Sequence, residues 1–322
     1  MAGNDAAVVS GHETPLLPRG AESAMYGRQR LADSLESDDI TVAPGIYDGI
    51  SARLVERMGF DTAFLSGAGI SNSRIAQPDV GIMGLSENAD HTRAITGAVD
   101  IPVWVDGDTG YGNAANVYHT VKTFARAGAA AVMLEDQKWP KRCGHMAGKD
   151  VVDFDEACAK IEAASEARDE FAPDLLIKAR TDAAGTHDVD EAIRRLNAFA
   201  ERGADIVFAD ALLSEEDIER VGKGVTGAAV SVNMGFGIRD RPTTPLLSPT
   251  QLSDLGVDAV IYPRLITAAA TMGMKKGLSA LEDSVESEEP VERPELVVDW
   301  DEYMDIVGQP EHADLEERFA TE

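Results

Sequence analysis

Eight short apolar or β-branched runs recur along the middle of the chain: Ile40–Ala43, Thr62–Leu65, Ile101–Val105, Ala130–Leu134, Leu175–Ala179, Asp205–Ala209, Ala228–Val232 and Asp258–Ile261. Stretches with helical spacing separate them, among them Ile50–Met58, Val117–Ala127, Ala157–Ala167, Ala192–Glu201 and Glu215–Val221. Runs that lack polar alternation are strands covered on both faces, the condition of a parallel sheet wrapped in helices. Gly59, Gly128 and Gly203 close helical stretches, where a residue without a Cβ best takes the left-handed turn that ends a helix. Eight such units specify a closed (β/α)8 TIM barrel more readily than the alternative, a doubly wound open sheet. The first strand, which is short, and residues 66–100 are the least regular parts of this pattern.

The flanks differ in character. Residues 1–24 mix Gly, Pro, Ala and charges without periodicity and are expected to form a flexible arm. The barrel domain is assigned to 25–281, beginning with a lead-in helix over 25–37 and ending in an Ala- and Met-rich helix over 264–281. Residues 282–322 open with an acidic, Pro-containing linker and continue to an apolar cluster at Leu296, Val297, Val298, Trp300 and Tyr303. That cluster is too small to fold alone, so it is expected to dock on the barrel or on a neighbouring subunit.

Composition narrows the partners. A formal net charge of −28 excludes nucleic acid and anionic membrane surfaces, which require cationic protein. Nine Lys against twenty Arg on so acidic a chain suit a salt-rich cytoplasm, where repulsion among carboxylates is screened. No apolar run approaches the eighteen residues of a membrane span, and no basic segment followed by an apolar core opens the chain; a cytoplasmic protein is expected. Two cysteines, Cys143 and Cys158, make no disulfide framework. Cys158 falls in a helical pattern and reads as core or neutral surface.

In a barrel the site is built from residues just after each strand. Those positions hold Pro44–Asp48, Ser66–Gly69, Asp106–Asp108, Glu135–Asp136, Arg180–Asp182, Asp210, Asn233 and Tyr262–Arg264. Carboxylates gathered at one rim repel one another unless a cation joins them. Hard oxygen ligands favour Mg²⁺, with Mn²⁺ as the alternative, over Zn²⁺. Asp106-Gly107-Asp108 is either an ordinary turn or a pair of ligands that the intervening Gly lets turn into the mouth. Arg180 offers a planar fork for a carboxylate or simply bridges to a neighbouring acid. Ser66-Gly67-Ala68-Gly69 presents backbone N–H groups and a hydroxyl to an anion. His91 and His119, in helical stretches, read as packing or solvent-facing residues.

The densest chemistry lies at 135–149, where Glu135, Asp136, Lys141, Arg142, Cys143 and His145 stand close together and Gly144 and Gly148 loosen the backbone. A thiol flanked by Lys141, Arg142 and His145 is favoured as thiolate and suited to proton exchange near neutral pH.

At these residues the chain resembles the isocitrate lyase and phosphoenolpyruvate mutase superfamily. The likeness runs from about residue 41 to 280 and includes Ala43–Asp48, Leu65-Ser66-Gly67, Gln77–Gly81, Val105–Gly112, Glu135–Gln137, Lys141–His145, Ala179–Asp182, Thr244-Pro245-Leu246 and Tyr262-Pro263. The Lys-Arg-Cys-Gly-His motif is similar to that of the carbon–carbon lyases, whereas phosphonate-forming mutases generally carry Asn in place of Cys143. The resemblance implies a barrel whose last helix is exchanged between subunits, commonly in a homotetramer. It also implies an Mg²⁺-dependent retro-aldol cleavage of isocitrate or 2-methylisocitrate to succinate plus glyoxylate or pyruvate. The alternative is an oxaloacetate decarboxylase or hydrolase, or another 2-oxo-acid lyase such as dimethylmalate lyase. Carried over, Asp106 and Asp108 would hold the metal, directly or through water, with Asp79 and Glu135 around them. Ser66, Gly67 and Ala68 would hold the 2-oxo acid portion, Arg180 its carboxylate, and Gly144, His145, Asp210 and Asn233 the rest of the substrate. Cys143 would be the acid, tuned by Lys141 and His145. The chain departs from its relatives at Asp210, where many have Glu; at Phe64, often Tyr; and at Ala268, in place of a carboxylate-binding Arg. Arg239, Arg241 or Arg264 is the candidate substitute.

Overall fold

The computed structural model describes residues 21–142, 148–236, 244–288 and 290–320. Eight strands, β1 Thr41–Ile46, β2 Ala63–Leu65, β3 Val103–Asp106, β4 Ala131–Glu135, β5 Leu176–Thr181, β6 Ile206–Ala209, β7 Ala229–Asn233 and β8 Ala259–Tyr262, close into a parallel barrel in sequence order. The (β/α)8 architecture expected from the alternating runs is therefore present. A lead-in helix α1 (Ala21–Leu35) precedes β1, and α2 (Gly49–Arg57) follows it. Two helices, α3 (Gly67–Ile75) and α4 (Leu85–Thr96), fill the irregular stretch between β2 and β3. The remaining connections are α5 (Ala114–Arg126), α6 (Phe154–Phe171), the short α7 (Ala183–Thr186), α8 (Val189–Ala200), α9 (Glu215–Gly224) and α10 (Pro249–Asp254). After β8 come α11 (Leu265–Glu286), α12 (Trp300–Ile306) and α13 (Gln309–Phe319).

Strand limits differ from the sequence expectation in one direction. β1 runs on through Pro44 and Gly45 to Ile46, and β5 through Arg180 to Thr181, so residues assigned to the loops lie inside the ladder. Pro44 is tolerated because its missing N–H costs only one ladder bond, and a Cβ on Gly45 would lie 2.5 Å from the Pro263 backbone. Gly59, Gly128 and Gly203 take positive φ where their helices end, as anticipated.

Alternation along the strands separates two cores. Side chains such as Leu65, Val105, Val132, Ile177, Val207, Val232 and Val260 face outward and pack against the helices. Ala43, Phe64, Trp104, Met133, Phe208 and Ile261 belong to a second cluster inside the barrel. The pairing register stacks the inward residues in layers of four from alternate strands, the usual filling of this fold. Ala43, Trp104, Lys178 and Ser231 form one layer, with Phe64, Met133, Phe208 and Ile261 above it. Gly45, Asp106, Arg180 and Asn233 follow, then Ser66, Glu135, Asp210 and Pro263 at the mouth.

The C-terminal elements reach back to the barrel. Arg57 on α2 donates to the carboxylate and the carbonyl of Asp305 on α12, where Ile306 is buried. α11 is different: none of its 22 residues is buried, and Met272, Met274, Leu278, Leu281 and Val285 are exposed. Beside its start, Val42, Pro44, Phe60, Leu246 and Tyr262 line an apolar groove of about 450 Å³ between β1 and β8. Among the described residues, no helix is long and apolar enough to cross a membrane.

Candidate active site

The two upper layers deliver polar residues to one mouth, as the strand-end reading required. A small cavity of about 40 Å³ is lined by Ser66, Ala68, Asp79, Asp106, Arg180, Asp210 and Asn233, with Phe64, Met133 and Ile261 as its floor.

The turn after β3 is built tightly. The Asp108 N–H donates to Asp106 Oδ1 at 3.1 Å, and Asp108 itself takes φ 50°. The left-handed residue of this turn is thus Asp108, a conformation Asp tolerates. Gly107 is needed for a different reason: a Cβ there would lie 2.7 Å from the Met133 carbonyl oxygen. The other oxygen of Asp106, Oδ2, accepts from the Gly67 N–H at 3.2 Å.

Lys141 carries the positive charge of the acidic ring. Its side chain is buried and pairs with both Asp79 and Asp108. Burial alone would lower its pKa, but Asp108, Asp106, Glu135 and Asp79 together hold it well above the ordinary lysine value, so it stays charged. Burial, with Asp106 and Asp79 as like-charged neighbours, pushes Asp108 up to about 6 against the pull of Lys141. Glu135 is held well above the ordinary carboxylate value, again chiefly by burial; its Oε1 is buried with no hydrogen-bond partner, while Oε2 lies 3.4 Å from Arg180 Nε. Among the described residues, no three His, Cys, Asp or Glu side chains converge at metal-ligand spacing. The donors are nonetheless all hard oxygens, and the orphaned Glu135 oxygen is an acceptor awaiting a positive partner. This donor set fits a divalent cation such as Mg²⁺.

The expected anion site takes a different form. Ser66 caps α3 by accepting from the Gly69 N–H at 3.2 Å, and the Gly67 N–H is engaged by Asp106. Arg180 does not present an open fork: Nε and Nη2 reach Asp182 at 2.9 and 3.0 Å, and Nη2 also reaches Asp210 at 3.0 Å. Lys149 completes this network, 2.5 Å from Asp182 and 3.0 Å from Asp210. Asp182 and Lys149 had no assigned role in the sequence; the available signal was the Arg-x-Asp spacing, which puts both side chains on one face of a strand. Asn233 reaches the cavity with its Oδ1 buried and unpartnered.

Two strand-end acids belong to the framework instead. Asp48 caps α2 by accepting from the Ser51 N–H at 2.7 Å. Asp136 accepts from Thr181 Oγ1, the Asp182 N–H and Arg195, fixing the loop after β5. His91 contacts the Tyr47 carbonyl through Nε2 at 2.7 Å, and Cys158 is buried, both in keeping with packing roles. Cys143, Gly144 and His145, like Arg239 and Arg241 and the arm before residue 21, lie outside the described residues. Arg264 is exposed and lines the mouth.

Residues 31–282 match the phosphoenolpyruvate phosphomutase family. The chain belongs to that family, within the phosphoenolpyruvate mutase and isocitrate lyase superfamily. It is 37% identical to 2,3-dimethylmalate lyase of Eubacterium barkeri, over 91% of this chain and 98% of the relative. It is 38% identical to 2-methylisocitrate lyase of Aeropyrum pernix, over 90% and 89%. Among solved structures, oxaloacetate acetylhydrolase in complex with 3,3-difluorooxalacetate superposes with a TM-score of 0.83 at 29% identity, covering 91% of this chain and 97% of that one. Phosphonopyruvate hydrolase in complex with oxalate and Mg²⁺ superposes at 0.79 and 27%, covering 91% and 99%. Family members of this kind use small carboxylates, and one is solved with magnesium. The relatives that match over most of this chain include lyases and hydrolases on one shared barrel.

Proposed function

We propose that this protein is an Mg²⁺-dependent carbon–carbon lyase that cleaves isocitrate or 2-methylisocitrate to succinate and a 2-oxo acid, glyoxylate or pyruvate. The observation that carries this reading is the pairing of a buried acidic ring, Asp79, Asp106, Asp108 and Glu135, with the cations Lys141 and Arg180 at one barrel mouth. Asp106 and Asp108 would hold the metal, directly or through water, with Asp79 and Glu135 in the surrounding shell. The ion, when bound, supplies a Lewis acid for the substrate's hydroxyl and carboxylate.

The chain's own groups do the rest. Arg180, at the centre of the cavity wall, exchanges part of its contact with Asp182 and Asp210 for the carboxylate of the 2-oxo acid portion. Ser66, Gly67 and Ala68, after β2, would hold the 2-oxo acid portion, with Ser66 and Ala68 lining the cavity, and Asn233 would offer its side chain to the substrate. The substrate hydroxyl gives its proton to a carboxylate of the acidic ring, its oxygen becomes the carbonyl of the 2-oxo acid as the bond between the carbinol carbon and its neighbour breaks, and the electron pair of that bond stays on the departing succinate carbon. The Cys143 thiol, with Lys141 and His145 beside it in sequence, returns a proton to that carbon. Lys141 keeps positive charge next to the developing anion throughout.

A second reading, the dicarboxylate acids of the dimethylmalate lyase and oxaloacetate hydrolase type, is favoured by the mouth itself. Arg264 is the one arginine described at its outer edge, and Ala268 is exposed one turn further along α11. Incubating the protein with Mg²⁺ and isocitrate, 2-methylisocitrate, 2,3-dimethylmalate or oxaloacetate, and identifying the products chromatographically (glyoxylate or pyruvate from cleavage, oxalate and acetate from hydrolysis), separates them. Product from either tricarboxylate supports the lead; product from oxaloacetate or dimethylmalate alone replaces it.

The protein is also proposed to assemble by exchange of α11. That helix has an apolar surface and no buried residue, and the groove between β1 and β8 is apolar and open. A second copy's α11 seated there would cover both surfaces, in line with a homotetramer.

A further inference from the structure

Lys178 is the only lysine among the fully buried large side chains of the described residues, and the proposed chemistry does not use it. It points inward from β5, two layers beneath Arg180 on the same strand face. Its ammonium is 5.0 Å from the Trp104 ring, 5.1 Å from Phe208 and 5.7 Å from Phe64. The hydrogen bond found for it goes to Ser231 Oγ on β7, at 2.9 Å, with Ser231 also fully buried. The bond spans the barrel interior and skips β6. Ser231 stands directly below Asn233, as Lys178 stands below Arg180.

We propose that Lys178 is a positioning residue: its hydrogen bond to Ser231 is a cross-barrel strut that holds β5 and β7, and with them Arg180 and Asn233, at a set distance across the cavity. The proposal rests on the reading of that cavity as the substrate site. The physical case is one of cost and placement. A lysine in a buried, largely apolar barrel interior is expensive to keep, so a Met or Leu of similar volume is the more stable filling. The charge, however, is partly offset by three aromatic faces and one hydroxyl, all fixed by the fold. A two-point tie between non-adjacent strands fixes a distance that the ladder alone leaves soft, and placement errors of an ångström at a site are costly to binding.

The test is titration of the wild type, Lys178→Met and Ser231→Ala with oxalate in Mg²⁺-containing buffer, alongside steady-state kinetics on the acid that the wild type cleaves. Both variants are expected to bind oxalate about tenfold more weakly and to raise KM in step, with kcat changed less. The double variant is expected to be no weaker than Lys178→Met alone, because both changes remove one interaction. A merely structural role would lower the melting temperature and leave oxalate affinity intact; that result in variants folded by circular dichroism overturns the proposal. If Lys178→Met does not fold, Ser231→Ala decides, since it keeps the amine and removes only the far end of the strut. A wild type that binds no oxalate removes the substrate-site reading, and the proposal with it. Binding by the wild type and equally by both variants removes the strut alone.

Discussion

Arg180 donates from Nε and Nη2 to the two carboxylate oxygens of Asp182, at 2.9 and 3.0 Å, with both side chains buried. A bidentate pair of this kind fixes the guanidinium plane, and so the direction in which Arg180 meets anything in the cavity. Removing one partner of a buried pair leaves the other charge unsatisfied. Asp182→Ala is therefore expected to cost about 3 kcal/mol, at the lower end for such pairs because Asp210 and Glu135 remain. Urea unfolding checks it, and a loss below about 1 kcal/mol would show that the remaining acids suffice.

Cys143 stands in the proposed mechanism as the proton donor. Cys143→Ser raises the pKa of that donor without touching the acidic ring, so turnover is expected to fall by orders of magnitude while Mg²⁺ affinity stays nearly unchanged. Single-turnover kinetics with calorimetric Mg²⁺ titration measure both, and near-normal turnover takes the thiol out of the mechanism.

Burial, with Arg180 adding to it and Asp106 opposing, pulls the Lys178 ammonium down to about 7. The folded-state value is depressed, so between pH 7 and the ordinary lysine value the unfolded chain binds the extra proton. Stability from this group must then rise with pH across that window and stay flat below it. Comparing Lys178→Met with the wild type from pH 6 to 10 is expected to show the wild type gaining on the variant above pH 7. Parallel curves across the whole range would contradict the depressed value.

The exposed apolar face of α11 and the groove between β1 and β8 make a joint prediction. Leu278→Asp with Leu281→Asp should change nothing in the isolated barrel, where both side chains already face solvent. In an assembly that exchanges the helix, the pair buries charge without a partner and should break it. Light scattering on the wild type and the double variant decides, with an unchanged mass disproving helix exchange.

The formal charge of −28 produces repulsion that salt screens, with a Debye length of about 10 Å at 0.1 M and about 3 Å at 1 M. Melting temperature and activity are expected to rise between those concentrations. Values that hold constant over that range would dismiss the halophilic adaptation.

Much of the molecule was legible in advance. Eight apolar runs separated by helical spacing led to the barrel because burial on both faces imposes that pattern on any parallel strand. Asp106, Asp108, Glu135, Arg180 and Asn233 could be placed at one rim because a barrel exposes its strand ends together. What the pattern could not show was direction: a strand apolar on both faces does not say which side looks inward. Only the closed register put Lys178 and Ser231 on the interior face below Arg180 and Asn233.

The sequence by itself determined the repeat, the acidic surface and the inventory of groups at the mouth, since those follow from local periodicity and composition. Tertiary structure alone decided which of those groups are committed elsewhere. Asp48 is a helix cap, Asp136 a loop anchor, and the Arg180 fork is already joined to Asp182 and Asp210. The reason is physical: a buried charge takes its role from whichever partners the fold brings within hydrogen-bonding distance, some close by, as Ser51 is to Asp48 and Asp182 to Arg180, and others tens of residues away, as Asp210 is to Arg180 and Arg195 to Asp136.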